Sequence, residues 1–462
     1  MQEALAADKR EPCPPRDAKV GADVCIVGGG FAGLWTAIEL SAREPGLRIG
    51  LVERDICGGG ASGRNGGFFS SSWWDLPGLM GLFGETEGLR YATAVSDEVE
   101  AAERWCLDHE VDAWFHREGA LGIRAGAWQE SIAGEGPADV CARMGEAARM
   151  RRLTVEEARS MADSPRITAA TFVSDSAICQ PARLARGLRR VALERGVRIF
   201  ERTAVRGIDR GRPAVVRAEH GAVRADQVVL TIGSWAASWP GFRRSFGVIA
   251  DYMVVTEPIP ELRREIGWTS NMGIADGRDL LYYLRPTDDD RIAIGGGATG
   301  VAFAGRAESR AVTHDRRISD AAARGLVWLF PQLEGVRFTH AWGGPIDMTP
   351  SFVPFYRTLP PGNVHAGLGF SGHGLSQTKL GGRILAGSVL SVEDEYTSLP
   401  VNAGEVAKAP PEPLRWPAVR AAAWALRSGD RREDDGRSRG SLRSAIGSAP
   451  SRYRERLLRR GA

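Results

Sequence analysis

Gly28-x-Gly30-x-x-Gly33 is the first set of residues in this chain whose types and spacing imply chemistry. It follows the apolar run Asp23–Val27 and opens a helix-spaced set, Leu34, Ala37 and Ile38. Gly28 permits a tight turn, Gly30 lets the backbone touch a pyrophosphate, and Gly33 lets helix and strand pack closely. Phe31 and Ala32 belong to the same helix start, whose free N–H groups and positive potential favour phosphate. The next strand, Arg48–Val52, ends on Glu53 and Arg54, and Glu53 stands where it can accept hydrogen bonds from both ribose hydroxyls. Together these residues predict dinucleotide binding. Gly295-x-Gly297-x-x-Gly300 repeats the spacing, but the apolar run after Gly300 is short and broken by Gly305, and no acidic strand end comes after it. It reads as a glycine-rich strand end.

Other side chains suggest a substrate site. Tyr283 and Arg285 lie two apart in a strand-like run, so they face one side and together could hold a carboxylate or phosphonate. Arg285 has a second reading, as a partner of the nearby acids Asp288–Asp290. Tyr252, in the strand-like Asp251–Val255, reads as a core aromatic.

The elements that must position these groups alternate along the chain. From about Trp73 to Ser160 the apolar residues, among them Leu89, Ala92, Val95, Val99 and Ala102, recur at helical intervals and predict a mostly helical insertion. A helix from Leu184 to Arg195 then leads into Val197–Glu201 and a β-rich run ending on Gln227–Thr231 and Gly233. Residues 246–300 alternate apolar runs with turn clusters, which predicts an antiparallel sheet. From Thr339 the chain turns glycine-rich and closes with a helix from about Leu375 to Leu390. Beyond Pro400 an Arg-, Ser- and Gly-loaded tail, residues 401–462, reads as a surface or disordered extension.

With 462 residues the chain is long enough for two domains. Its formal charge of +3, from 60 basic and 57 acidic residues, is too balanced to point to nucleic acid or membrane as the main partner. Its six cysteines show no CxxC or metal-like spacing. We expect reduced thiols, no metal, no membrane span and a cytoplasmic location; the oligomeric state is left open.

Gly58-Gly59-Gly60-Ala61-Ser62-Gly63-Arg64-Asn65-Gly66-Gly67, just after Glu53, resembles the D-amino-acid oxidase superfamily of FAD enzymes. In that family the segment runs along the pyrophosphate and ribityl chain to the isoalloxazine. Three further segments resemble the family in the same order. They are Thr203-Ala204-Val205, whose backbone would meet the adenine at Val205; Val228 to Gly233, Ser234 and Trp235; and Gly369-Phe370-Ser371-Gly372-His373-Gly374, the loop over the flavin. With Trp73-Trp74 and Leu82-Phe83-Gly84-Glu85 after the glycine loop, Gly344-Pro345-Ile346-Asp347-Met348-Thr349-Pro350, and Gly381-Gly382-Arg383-Ile384-Leu385-Ala386 after the flavin loop, the chain most resembles the γ-glutamylputrescine oxidase-like group and a branch of aminophosphonate oxidoreductases.

The resemblance implies an α/β fold: a Rossmann-like FAD-binding domain from residues 20–85, 176–245 and 336–400, and a discontinuous α+β substrate domain from 86–175 and 246–335. It implies FAD contacts at Gly28, Gly30, Phe31, Ala32, Gly33, Glu53, Arg54, Ala61, Ser62, Arg64, Asn65, Gly66, Gly67, Val205, Gly233, Trp235, Gly344, Gly372, His373, Gly374 and Leu375. Relatives that bind FAD covalently use a cysteine near the flavin, and His340 to Phe355 contains none, so the expected FAD is non-covalent. The implied reaction is hydride abstraction from a small primary or secondary amine, such as an aminophosphonate or a γ-glutamyl-polyamine, with oxygen or another acceptor reoxidising the flavin. An amino- or hydroxy-acid oxidase and a non-catalytic flavin-binding regulator are the alternatives. His373, Tyr283 and Arg285 are the candidate catalytic groups, and Lys379 reads as a surface lysine of the last helix.

Overall fold

A computed structural model describes residues 1–8, 13, 19–125, 136–402, 408–438, 440–449 and 452. Among these the strands form an eight-stranded sheet, a nine-stranded sheet and a small ribbon pairing Phe68–Phe69 with Ala177–Ile178.

The first sheet has a parallel centre. Across it run Arg198–Phe200, Ile49–Val52, Lys19–Val27, Ala222–Leu230 and Val364–Leu368. Phe355–Leu359 closes one edge antiparallel. The crossover from Lys19–Val27 to Ile49–Val52 is the helix Phe31–Arg43, below called the nucleotide helix. Ile49–Val52 is buried at every position, as expected of a parallel strand covered on both faces. The last long helix, Gly374–Leu390, lies against the nucleotide helix so closely that a Cβ on Gly382 would sit 2.7 Å from Cβ of Trp35. We call it the closing helix. Both helices begin at the C-terminal edge of the parallel strands, where α/β sheets bind ligands.

The second sheet is antiparallel over 246–300, as the alternation predicts. Its order is Gly300–Val301, Gly247–Thr256, Ile292–Gly296, Tyr282–Pro286, Gly273–Asp276, Ala120–Arg124, Ala169–Val173 and Met150–Leu153. Phe338–Met348 pairs with Gly247–Thr256 along its length.

Four expectations are corrected. The stretch from Trp73 to Ser160 contains the helix Glu85–Asp108 but also the strands Ala120–Arg124 and Met150–Leu153. These are short, and pairing with Ala169–Val173 and Gly273–Asp276 decides their conformation. Residues 336–400 are not one unit, since Phe338–Met348 joins the second sheet while Phe355–Leu359 and Val364–Leu368 join the first. The helix Glu85–Asp108, assigned to the substrate domain, buries Tyr91, Val95 and Val99 in the same core as Trp35. The tail contains a docked helix, Arg415–Asp434. Its Asp434 pairs with Arg278 at 3.0 Å, and Asp430 accepts the Leu280 N–H at 3.1 Å.

Candidate active site

The strand Lys19–Val27 delivers Gly28 at φ +112°, and a Cβ there would lie 2.6 Å from the Thr231 carbonyl oxygen. Only glycine suits this turn. A Cβ on Gly33 would run into the Gly28 carbonyl, so the nucleotide helix can approach its strand only without one. Gly30 caps that helix with no side-chain hydrogen bond, leaving first-turn N–H groups for a ligand. The Phe31 N–H is not among these, since it donates to Ser62 Oγ at 2.9 Å and brings the 58–67 loop onto the helix start.

Glu53 accepts Gly29 N–H at 2.8 Å and Asp55 N–H at 2.9 Å. Burial raises its carboxyl above the usual range. It thus braces the turn, and each oxygen keeps a second lone pair for a hydroxyl donor. The segment toward Val205 runs beside it, with Thr203 N–H donating to the Glu53 carbonyl at 2.8 Å. Arg54 is exposed, pairs with Glu308 and lies 4.9 Å over the Trp235 ring, whose Nε1 also donates to Glu308. Glu308 had no sequence signal, because it reaches this cluster from a distant loop. Gly233, at φ +50°, opens the turn Gly233–Ser238, in which the buried Ser234 hydroxyl has no hydrogen-bond partner.

The glycine-rich loop is tied down at nearly every residue. Arg64 Nε donates to the Gly59 carbonyl at 2.9 Å, Asn65 Nδ2 to the Ser62 carbonyl at 2.7 Å, and Gly67 N–H to Asn65 Oδ1 at 2.9 Å. Ala61 is exposed beside them, while Gly66 and Gly67 are buried. Trp342 Nε1 donates to the Arg64 carbonyl at 2.7 Å, and the Arg64 Cβ lies 3.2 Å from where a Cβ of Gly344 would be.

Tyr283 and Arg285 do face one side, toward that loop. The Tyr283 ring covers Gly66, and Arg285 Nε donates to the Gly66 carbonyl at 2.5 Å. Burial lowers the Arg285 pKa. Its alternative partners are engaged elsewhere: Asp288 with His116, Asp289 with Thr287 and Arg291, and Asp290 with Arg263. The Tyr283 hydroxyl donates to Asp251, a residue the sequence did not single out. Its one signal was a carboxylate in an otherwise apolar strand. Tyr252 is a core residue, as expected, with its hydroxyl on the Ala311 carbonyl at 3.1 Å.

The loop 369–374 hangs from Asp347, which accepts Gly369 N–H at 2.6 Å, while its own carbonyl accepts Ser371 N–H at 3.2 Å. Burial pushes the Asp347 carboxyl up to about 6. A Cβ on Gly372 would meet nothing nearer than Ile346 Cδ1 at 3.8 Å, so the loop has open space before it. The closing helix starts there with Gly374 and the buried Leu375, and no side chain caps it. His373 in this loop is 45% exposed and 4.0 Å from Asp75. Lys379 is the opposite of the expected surface lysine. It is buried and paired with Glu98 across from the helix Glu85–Asp108, a partner 281 positions away. The second GxGxxG set, Gly295 to Gly300, lies in the antiparallel sheet and opens no long helix.

Two uncapped helix starts, a glycine loop between them and an acid at the second strand end therefore converge on one edge of the first sheet. Residues 23–388 match the profile of the family described as FAD dependent oxidoreductase. The chain belongs to that family. This FAD-dependent oxidoreductase is 28% identical over 390 residues to the gamma-glutamylputrescine oxidoreductase of Escherichia coli, covering 83% of this chain and 87% of that protein. It is 26% identical over 404 residues to the probable oxidoreductase OrdL of Haemophilus influenzae, covering 84% and 86%. Its fold is shared with the glycine oxidase of Geobacillus kaustophilus, with TM-score 0.66 at 20% identity over 84% of this chain and 99% of that one. The uncapped N–H groups, the unpartnered Ser234 hydroxyl and the space before Gly372 suit FAD. No described helix is long and apolar enough to cross a membrane.

Proposed function

We propose that this oxidoreductase dehydrogenates a small primary or secondary amine, by hydride abstraction and release of an imine that water hydrolyses. The observation that carries the reading is the face of the second sheet turned toward Gly66 and Gly67. There Met253, Val255 and Ala293 pack with Tyr283 and Trp342 into an apolar wall. Such a wall excludes water and orients a small substrate beside the cofactor loop. The related E. coli protein, named for a γ-glutamyl-polyamine, supports the amine class.

FAD bound along the loop supplies the two-electron acceptor. The remaining work falls to the chain. The nucleotide helix start and Ser62 hold the pyrophosphate, Glu53 the ribose, and the segment at Val205 the adenine. The free N–H groups of Gly374 and Leu375 favour negative charge placed before the closing helix. Arg285 fixes the Gly66 carbonyl and so the path of the loop. His373 contributes its backbone to the same loop, and its exposed imidazole is available to orient a substrate. The FAD is held without a covalent bond, and oxygen or another acceptor completes the cycle.

Arg285 favours a second reading, oxidation of an amino acid. It is a buried cation with no carboxylate in an ion pair with it among the described residues. The test is anaerobic mixing with 2-aminoethylphosphonate, γ-glutamylputrescine, putrescine, sarcosine, glycine and D-alanine while following flavin absorbance. Bleaching by the amines supports the first reading, and bleaching by the amino acids alone supports the second.

A further inference from the structure

We infer that Asp251, with Tyr283, is a cation-recognition site for an alkylammonium group of the substrate. The inference rests on the amine reading above and sharpens it.

Asp251 lies in the strand Gly247–Thr256, opposite Gly344 of Phe338–Met348. Its Oδ1 accepts the Tyr252 N–H at 2.8 Å, and its Oδ2 accepts the Tyr283 hydroxyl. The Gly296 N–H is a third donor to this carboxylate, and all three partners are neutral. No arginine, lysine or histidine forms an ion pair with this carboxylate among the described residues, although burial is the main influence on it and raises its pKa. A recessed carboxylate without a counter-charge is costly, and an ammonium brought in from outside would relieve that cost. Asp251 as a residue is partly rather than fully buried.

Its position says what the cation belongs to. Asp251, Met253 and Val255 alternate along one face of their strand, the face that carries Tyr283 and the apolar wall. Gly295 leaves room for the Tyr283 ring, which lies across Gly66 and meets the Phe68 ring edge-on at 5.5 Å. The carboxylate thus closes one end of the wall that lines the cofactor loop. With its hydroxyl donated to a carboxylate, Tyr283 is set to present negative potential, which suits an ammonium and opposes an anion. Arg285, two residues along, takes up carbonyl oxygens of Gly66 and Pro286 rather than Asp251.

The probe is tert-butylammonium, which has no hydrogen on the carbon bearing nitrogen and cannot be oxidised. Its binding to the FAD-loaded protein is measured by calorimetry, with tert-butanol as the uncharged counterpart. The parent should prefer the ammonium, and Asp251→Asn should weaken its binding about 10–100-fold, the loss of one charge-assisted contact, with tert-butanol binding unchanged. Asp251→Glu, which keeps the charge, should restore most of the affinity. Equal binding of the two probes by the parent overturns the proposal without any variant, as does equal ammonium binding by parent and Asp251→Asn. Failure of the amine reading looks different: tert-butylammonium binds, yet no amine bleaches the flavin. With butylamine and 1,4-diaminobutane as substrates, a KM rise for both in Asp251→Asn assigns the carboxylate to the reacting nitrogen, whose ammonium proton Asp251 would then have to accept before the hydride leaves. A rise for the diamine alone assigns it to the distal one, and a rise for neither overturns the proposal.

Discussion

At the scale of single residues, the site depends on buried polar groups that each hold one backbone position. Asp347 is the clearest case, because its carboxyl is raised to about 6 from an ordinary value near 3.8 and it suspends the loop before the closing helix. A carboxyl raised in the folded state contributes stability that is complete below its unfolded pKa and is lost as pH rises through the folded one. Asp347→Asn keeps an acceptor for Gly369 N–H without the ionisation. Unfolding measured from pH 4 to pH 7 should therefore show the variant gaining on the parent between about 4 and 6, by at most about 3 kcal/mol, and levelling off above. A constant difference would contradict this role. Arg285→Met removes the donor to the Gly66 carbonyl and should cost about 1–3 kcal/mol of stability, with visibly less flavin retained after gel filtration.

At the scale of elements, the nucleotide helix and the closing helix act as a pair held by close approach and by a buried ion pair. Gly33→Ala would press a Cβ into the Gly28 carbonyl and push the helix start off its strand, so the purified variant should carry little or no flavin. Lys379 of the closing helix meets Glu98, with Arg383 Nε 2.6 Å from the same carboxylate. Glu98→Gln leaves Lys379 buried and unpaired and should cost about 3–5 kcal/mol, whereas Glu98→Gln with Lys379→Met should recover most of it. Denaturant unfolding of the parent, the single variant and the double variant checks both.

These elements also mark how far the sequence could be read. Gly28 to Glu53 was legible because a local strand, turn and helix carry the whole pattern within one crossover. The loop 58–67 and the loop before the closing helix were legible through their resemblance to the FAD-enzyme family. Lys379, Glu308 and Asp251 were not, since each owes its role to a partner far along the chain. The strands Ala120–Arg124 and Met150–Leu153 were hidden for the same reason: five or fewer residues carry little periodicity, and their neighbours in the sheet come from elsewhere.

At the scale of the whole molecule, two sheets share one seam, with the cofactor loop from the first laid against the apolar face of the second. The helix Arg415–Asp434 stiffens that second sheet from outside. Its Asp434 and the buried Asp276 flank Arg278, while Asp430 holds Leu280 N–H at the entry to the strand bearing Tyr283 and Arg285. Asp434→Asn should destabilise by about 1–3 kcal/mol and speed deuterium uptake at Leu280, which hydrogen–deuterium exchange would reveal.

The most direct test is the visible spectrum of the purified protein under anaerobic conditions as a small amine is added. The account predicts oxidised flavin bands that trichloroacetic acid releases into the supernatant, and that a small amine bleaches before any addition of oxygen. Protein isolated without flavin and unable to take up added FAD, or bound flavin that no amine in the panel bleaches, would contradict it.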